Sequence, residues 1–279
     1  MKILVTGATG TVGGAIVRGL AGTEHDVVAL VRNPGAYDPP EGVTVVQGDL
    51  TDAADVRRAL AGIDRAFLNM ADDDGAVFAA AAGELGLDHV VLLSSFTVDT
   101  VLPYGEDNLI TVHHRNGEQA LDAAGVPATF LRAAGFDYNF LMWASGAAAE
   151  GVVRAPWLDV KLPVVDPDDI AAAAVAVLSE AEPAGGAYSI TGPAALSVAD
   201  QTHVASGVLG RELRAERLDL ETAKATAFQG APPVFIESVF RTFGPEAAVL
   251  PVSGDVEALT GTPARTFAQW VDRNRAAFG

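Results

Sequence analysis

Three observations predict an α/β fold for this chain: a doubly wound parallel sheet with a smaller C-terminal lobe. Short apolar runs alternate with helix-like stretches up to about residue 190. The runs are continuously apolar, as strands buried on both faces must be. A glycine-rich segment, Thr6-Gly-Ala-Thr-Gly-Thr-Val-Gly13, joins the first run to the first helix-like stretch.

The first run, Lys2-Ile-Leu-Val-Thr6, reads as a short buried strand. Gly14-Ala-Ile-Val-Arg-Gly-Leu20 reads as a helix with apolar residues at helical spacing. Between them, Gly7 permits a tight turn and Gly10 lets the backbone approach phosphates. Gly13 lets the helix pack close to the strand. Thr9, Thr11 and Val12 complete the loop, where free N–H groups and the helix dipole favour an anion. The spacing is Gly-x-x-Gly-x-x-Gly rather than the plain Gly-x-Gly-x-x-Gly. Its position between strand and helix favours a dinucleotide-binding turn of the Rossmann type over an ordinary structural turn.

Asp26–Val31 is the second strand, and it ends at Arg32-Asn33-Pro34. An acidic residue at this strand end suits NAD, whereas an arginine suits the 2′-phosphate of NADP. Arg32 therefore predicts NADP(H) as the preferred cofactor, with NAD(H) possible. It can also stack on adenine, or stand as a solvated strand-end charge. Further strands are expected at 43–47, 66–70, 89–94, 128–131 and 187–190. Helices are expected at 53–61, 75–85, 111–124, 136–146 and 168–178. Asp52 opens one helix, and Gly62, Gly86 and Gly125 close others. Pro127 opens a strand where a missing N–H does little harm. Residues 1–150 and 165–192 are assigned to the dinucleotide-binding domain. Residues 151–164 and 193–279 form the substrate lobe, with two or three helices and short strands beyond Pro193. Substrate is expected between lobe and cofactor.

The 279 residues are 49% hydrophobic, enough for a large core. The formal charge is −18. Such a surface repels nucleic acid and anionic lipid, so neither is an expected partner. The chain has no cysteine, which removes disulfides, thiolate metal sites and a cysteine nucleophile, and no metal site is expected. No apolar run approaches the ~20 residues that span a bilayer, and no signal peptide is evident. A soluble, cytoplasmic protein is expected, monomer or homodimer, acting on a small molecule. The Ala- and Arg-rich, Lys-poor composition fits a GC-rich bacterial genome.

Taken together, the segments resemble the NmrA-like branch of the atypical short-chain dehydrogenase/reductases. The resemblance rests on the glycine loop, Val31-Arg-Asn-Pro34, Gly48-Asp-Leu-Thr51 and Ser94-Ser95. It continues through His114-Arg-Asn-Gly-Glu118, Gly125-Val-Pro-Ala-Thr-Phe-Leu-Arg132, Val165-Asp-Pro-Asp-Asp-Ile170 and Gly261-Thr-Pro-Ala-Arg-Thr-Phe267. It implies that the loop holds NAD(P), that Asp49 and Leu50 lie beside the adenine, and that Ser94 and Ser95 face the nicotinamide. Phe136, Tyr138, Asn139 and Trp143 would line the substrate pocket, although aromatics at helical spacing also serve as core. Ala133 replaces a usual proline. Asn69 departs from the family's serine-proline strand end and is a candidate ribose contact. Asp72, Asp73 and Asp74 are expected to cap the next helix.

One departure bears on the chemistry. Active members of the wider superfamily use Tyr-x-x-x-Lys, the Tyr moving the proton and the Lys lowering its pKa. Four residues after Tyr37, Tyr104, Tyr138 and Tyr188 stand Glu41, Asn108, Met142 and Gly192, so no dyad exists. Judged from Glu118, the Lys position corresponds to His114 and the Tyr position to Ile110. An unperturbed histidine changes charge near neutral pH, so a histidine at position 114 can shuttle a proton, or simply hold the ribose. His113, one step round the helix, is expected to be solvated. Ser95 at the strand end and Tyr104 in a loop are the other candidates for the proton step.

The implied activity is an NAD(P)H-dependent reduction of a small carbonyl, quinone or conjugated acceptor. Two alternatives share the fold. One is a dinucleotide redox sensor without catalysis. The other is a non-redox tailoring enzyme of secondary metabolism: an isomerase, cyclase or dehydratase.

Overall fold

A computed structural model describes residues 1–99, 108–183, 185–245 and 250–279. Its strands are β1 (Lys2–Val5), β2 (Asp26–Val31), β3 (Thr44–Gln47), β4 (Arg65–Leu68), β5 (His89–Ser95), β6 (Ala128–Ala133), β7 (Val152–Ala155), β8 (Gly186–Ile190) and β9 (Arg214–Arg217). One seven-stranded sheet runs β3-β2-β1-β4-β5-β6-β8. The pairs β1–β2, β1–β4, β2–β3 and β4–β5 are parallel. The chain thus winds outward from β1 in both directions. The carboxyl ends of β1 and β4 form the switch point where ligands of such sheets bind.

The elements divide into two compact units. The first comprises residues 1–95, 113–132 and 168–189, and the second residues 96–112, 133–167 and 190–279. Residues 96–112 and 133–150, assigned by sequence to the dinucleotide domain, cluster with the second unit because the chain leaves the sheet after β5 and after β6.

Within the first unit the helices α1 (Thr11–Leu20), α2 (Ala53–Leu60), α3 (Ala76–Leu85) and α7 (Pro167–Ser179) flank the strands, with most of α4 (Leu109–Ala123). Ile3, Leu4 and Val5 of β1 are fully buried, each worth roughly 1.5–3 kcal/mol of apolar burial. Leu4, Val28, Leu68, Val90 and Leu92 join Leu60 of α2, Phe78 of α3 and Leu121 of α4 in one cluster. Asp52 caps α2, accepting from the N–H groups of Ala54 and Asp55. Gly86 ends α3 in the left-handed conformation that glycine adopts freely. Arg65, at the buried start of β4, donates to the carbonyls of Leu178, Glu180 and Ala181 where α7 ends. A cation at a helix C-terminus satisfies its orphan carbonyls and its dipole together.

The second unit departs from the expected pattern. β7 and β9 form a separate parallel ribbon, which the short, polar segment Arg214–Arg217 did not announce. Its helices are α8 (Val198–Leu209), α9 (Leu220–Thr226), α10 (Pro233–Phe243), α11 (Asp255–Thr260) and α12 (Phe267–Arg273), more than the two or three expected. The expected single helix over 136–146 is broken into short turns, with α5 (Phe140–Trp143) and α6 (Ala147–Glu150) among them. Its core stacks Phe140, Phe267, Trp270 and Phe278. Among the described residues no helix is long and apolar enough to cross a membrane.

Candidate active site

The glycine loop has the geometry its sequence demands. Gly7 sits at φ +63°, a left-handed conformation that costs a side-chain-bearing residue free energy. Its carbonyl accepts the N–H of Gly10 at 2.9 Å. A Cβ on Gly13 would lie 2.3 Å from that same carbonyl oxygen, so only glycine lets α1 pack this close to the turn. No side chain caps α1. Its first helical bond runs from the Gly14 N–H to the Gly10 carbonyl at 2.9 Å. The N–H groups of Thr11, Val12 and Gly13 precede that bond and lie outside the helical ladder. Thr9, Gly10 and Thr11 are exposed, while Val12 and Gly13 are buried under them. This cradle fits a diphosphate.

The neighbouring strand ends close around the loop. The Asn69 N–H donates to Thr6 Oγ1 at 2.7 Å, tying β4 to β1. The Asn69 side chain lies against Gly7, 2.8 Å from where a Cβ would stand. Arg32 is exposed at the end of β2 and its carbonyl accepts from Gln47. Asp49 accepts from the N–H and hydroxyl of Thr51, which hold its carboxyl below the usual range; Arg32 contributes in the same direction. Leu50 is half-buried against the core of the first unit.

At the end of β5 the geometry is more specific than the sequence indicated. Ser94 Oγ donates to Glu118 Oε1 at 2.6 Å. Arg132 grips the same carboxylate with two bonds, Nε to Oε1 at 3.0 Å and a terminal nitrogen to Oε2 at 2.7 Å. Ser94 and Glu118 are buried, so the hydroxyl proton is held inside this network. Ser95, also buried, ends the strand. His114 is half-buried on α4, its ring edge-on to His113 at 5.1 Å. His113 is not simply solvated: its Nδ1 lies 2.6 Å from Asp74 Oδ1. Asp74 also accepts from Asn116 at 2.7 Å, and holds φ +56° to do so. Of the three aspartates, Asp73 is the one that caps α3, accepting from Gly75 and Val77. Asp74 instead clamps α4. Gly117 makes room there, since a Cβ would meet Met70 Sδ at 2.0 Å.

The second unit contains an apolar cleft of about 590 Å³, solvent included, lined by Phe136, Asn139, Phe140, Trp143, Trp157 and Phe243 with aliphatic neighbours. Phe136, Asn139 and Trp143 are thus brought together. Tyr138 is not among the lining residues. It projects outward, 53% exposed, because the tight turn Asp137–Asn139 turns Asp137 inward instead. Tyr104 lies outside the described residues.

Comparison with known proteins agrees with this geometry. The NmrA-like family profile matches residues 1–265. The chain belongs to the NmrA-like family. Among curated relatives of this NmrA-like chain, the (4-alkanoyl-5-oxo-2,5-dihydrofuran-3-yl)methyl phosphate reductase of Streptomyces griseus is 42% identical, covering 99% of both chains. The NAD(P)H azoreductase of Xenophilus azovorans is 32% identical, again over 99% of each. Among solved structures, an NADPH-dependent quinone oxidoreductase of Escherichia coli complexed with NADPH superposes with a TM-score of 0.82. It is 27% identical and covers 99% of this chain and 100% of that one.

Two features of the NmrA-like chain escaped sequence reading. The Glu118–Arg132 pair was visible only as two members of separate motifs, and the fold brings them within bonding distance. Gln201, on α8, lines the aromatic cleft. No motif marks it, because a glutamine in a polar helical turn resembles any surface residue.

Proposed function

We propose that this NmrA-like chain is an NAD(P)H-dependent reductase that prefers NADPH and reduces a small carbonyl, quinone or conjugated acceptor. The observation that carries the reading is the cradle at Gly7, Gly10 and Gly13, where a missing Cβ and an uncapped helix leave room and N–H donors for a diphosphate. Bound there, a reduced nicotinamide dinucleotide supplies the hydride. The activities of the relatives, a furanone-phosphate reductase, an azoreductase and a quinone reductase, support the class of reaction.

The chain's own residues divide the remaining work. Thr9, Thr11, Val12 and the loop glycines hold the diphosphate. Arg32 meets the 2′-phosphate, which an exposed guanidinium at a strand end suits. Asp49 and Leu50 flank the adenine, and Asn69 reaches the ribose. Ser94, its proton held by Glu118, positions the end of β5 rather than delivering a proton. Hydride addition to a quinone or enone leaves an oxyanion on the substrate. His114 or water protonates it, so the absent Tyr–Lys dyad does not forbid the reaction. Ser95 and Tyr104 are the other hydroxyls proposed for that proton step. The Ala- and Arg-rich, Lys-poor composition supports a bacterial source, and we place the protein in the cytoplasm.

Titration with NADPH and NADH, followed by fluorescence, tests the cofactor. Absorbance of the reduced cofactor in the presence of quinones and small aldehydes tests turnover. Tighter NADPH binding and oxidation by a quinone are expected. Binding without turnover on any acceptor would leave a dinucleotide sensor. Absence of binding would leave only a repurposed fold.

A further inference from the structure

The cleft of the second unit holds a polar group that the fold does not use. Gln201 is 5% exposed. Its backbone N–H bonds to the Ser197 carbonyl at 2.9 Å as part of α8. Its side-chain amide meets no hydrogen-bond partner among the described residues, and it lines the cleft. The amide atoms are open to the cleft rather than sealed in the core, so a ligand that fills the cleft must replace the hydrogen bonds they make to solvent. Its position is firmly set. Ser197 and Asp200 form a capping box at the start of α8. Leu196 and Leu162 exchange two backbone bonds just before it. Asn139, half-buried and also lining the cleft, adds a second amide with no side-chain partner among the described residues. The other lining groups are aromatic or aliphatic, and none of the described lining side chains is charged.

We infer that Gln201 is a specificity-determining residue: its amide donates a hydrogen bond to a carbonyl oxygen of the acceptor, and the part of the acceptor in this cleft is planar, apolar and uncharged. The inference rests on the reductase reading and narrows it. Aromatic walls favour a flat π-system. An unpaired amide rewards a carbonyl, because a ligand without one leaves Gln201 unsatisfied. An ionic group would enter without a counter-charge, at a heavy desolvation cost. A phosphate or sulfonate on the acceptor must therefore lie outside this cleft.

Trp143 and Trp157 line the cleft, so their fluorescence reports its occupancy without any dinucleotide. The full-length chain is titrated with 1,4-naphthoquinone and with 1,4-naphthoquinone-2-sulfonate. The neutral quinone is expected to quench saturably, and the sulfonate to bind at least about tenfold more weakly. Gln201→Leu is expected to weaken the neutral quinone about fivefold, raise its KM and leave NADPH affinity unchanged. Its urea midpoint should stay at or above that of the wild type, which a structural role for the amide would not allow. Gln201→Met repeats the measurement with an unbranched side chain. Unchanged quinone affinity in both variants overturns the anchor, as does the absence of quenching in the wild type. Equal affinity for the sulfonate overturns the neutral cleft. In each case NADPH oxidation by some other acceptor would keep the reductase reading intact, so the two failures are separable.

Discussion

The glycine corner of the first unit and the aromatic cleft of the second both read as ligand sites, but they are built in opposite ways. The corner is made by eight consecutive residues, Thr6 to Gly13, with Asn69 leaning on Gly7 from one neighbouring strand. It relies on missing side chains and backbone N–H groups. The cleft draws on segments near 136–143, 155–164, 196–201 and 243, and relies on large side chains and two amides. A site made of backbone tolerates almost no substitution at its glycines. A site made of side chains can be retuned one wall at a time.

The largest expected effect breaks the corner while sparing the cleft. Gly13→Val places side-chain carbon against the Gly7 carbonyl, where a bare Cβ would already stand at 2.3 Å. NADPH affinity should fall at least about a hundredfold, some 3 kcal/mol, while circular dichroism and naphthoquinone quenching persist. Retained NADPH affinity would falsify the role given to the loop.

Two buried polar groups elsewhere in the first unit come next. His89 is 3% exposed and hydrogen-bonded to Thr129. Burial, reinforced by Arg65, lowers its pKa from 6.5 to about 4. The folded value lies below the unfolded one, so the unfolded chain takes up the proton first. Stability from the neutral ring is complete above pH 6.5 and is lost as pH falls towards 4. The loss approaches about 3 kcal/mol in strong acid. Urea unfolding at pH 7 and pH 4 should show this slope, and His89→Gln should flatten it. A slope equal in both proteins would assign the acid sensitivity elsewhere. Glu118→Ala strips Arg132 of its carboxylate and Ser94 of its acceptor. Destabilisation of about 2 kcal/mol is expected, reduced from the fully buried case because Arg132 keeps some access to water. A change within 0.5 kcal/mol, the usual range for surface sites, would mean the network is dispensable.

Two smaller effects sharpen the comparison. Arg32→Glu should weaken NADPH about tenfold more than NADH, since a carboxylate repels a 2′-phosphate and suits a ribose hydroxyl. Equal losses would remove Arg32 from phosphate recognition. Trp157→Leu alters the cleft wall and its packing on Phe240. It should raise the acceptor KM about fivefold with kcat and NADPH affinity unchanged, the mark of lost uniform binding. A matching fall in NADPH affinity would show that the two sites are not independently built.

How far the chain could be read in advance follows from the same contrast. The boundaries of β2 were legible to the residue, because a β-branched run stops abruptly at Arg32-Asn33-Pro34. The ends of α2 and α3 were legible from Asp52 and Gly86, residues whose capping chemistry is local. The stretch over 136–146 was not, because its apolar residues satisfy helical spacing while its backbone breaks into short turns. The family resemblance implies a pocket place for Tyr138, and one tight turn sends it outward.

The sequence by itself determined what depends on neighbours along the chain: the parallel sheet, the glycine corner, the caps and the missing Tyr–Lys dyad. Only the tertiary structure decided that Ser94 donates a hydrogen bond to Glu118, that Asp74 clamps α4 through His113, and that Gln201 reaches an apolar cleft with no protein partner for its amide. The physical reason is range. Backbone conformation and capping are fixed within a few residues, whereas a buried side chain's partner is chosen by packing between segments far apart in the chain.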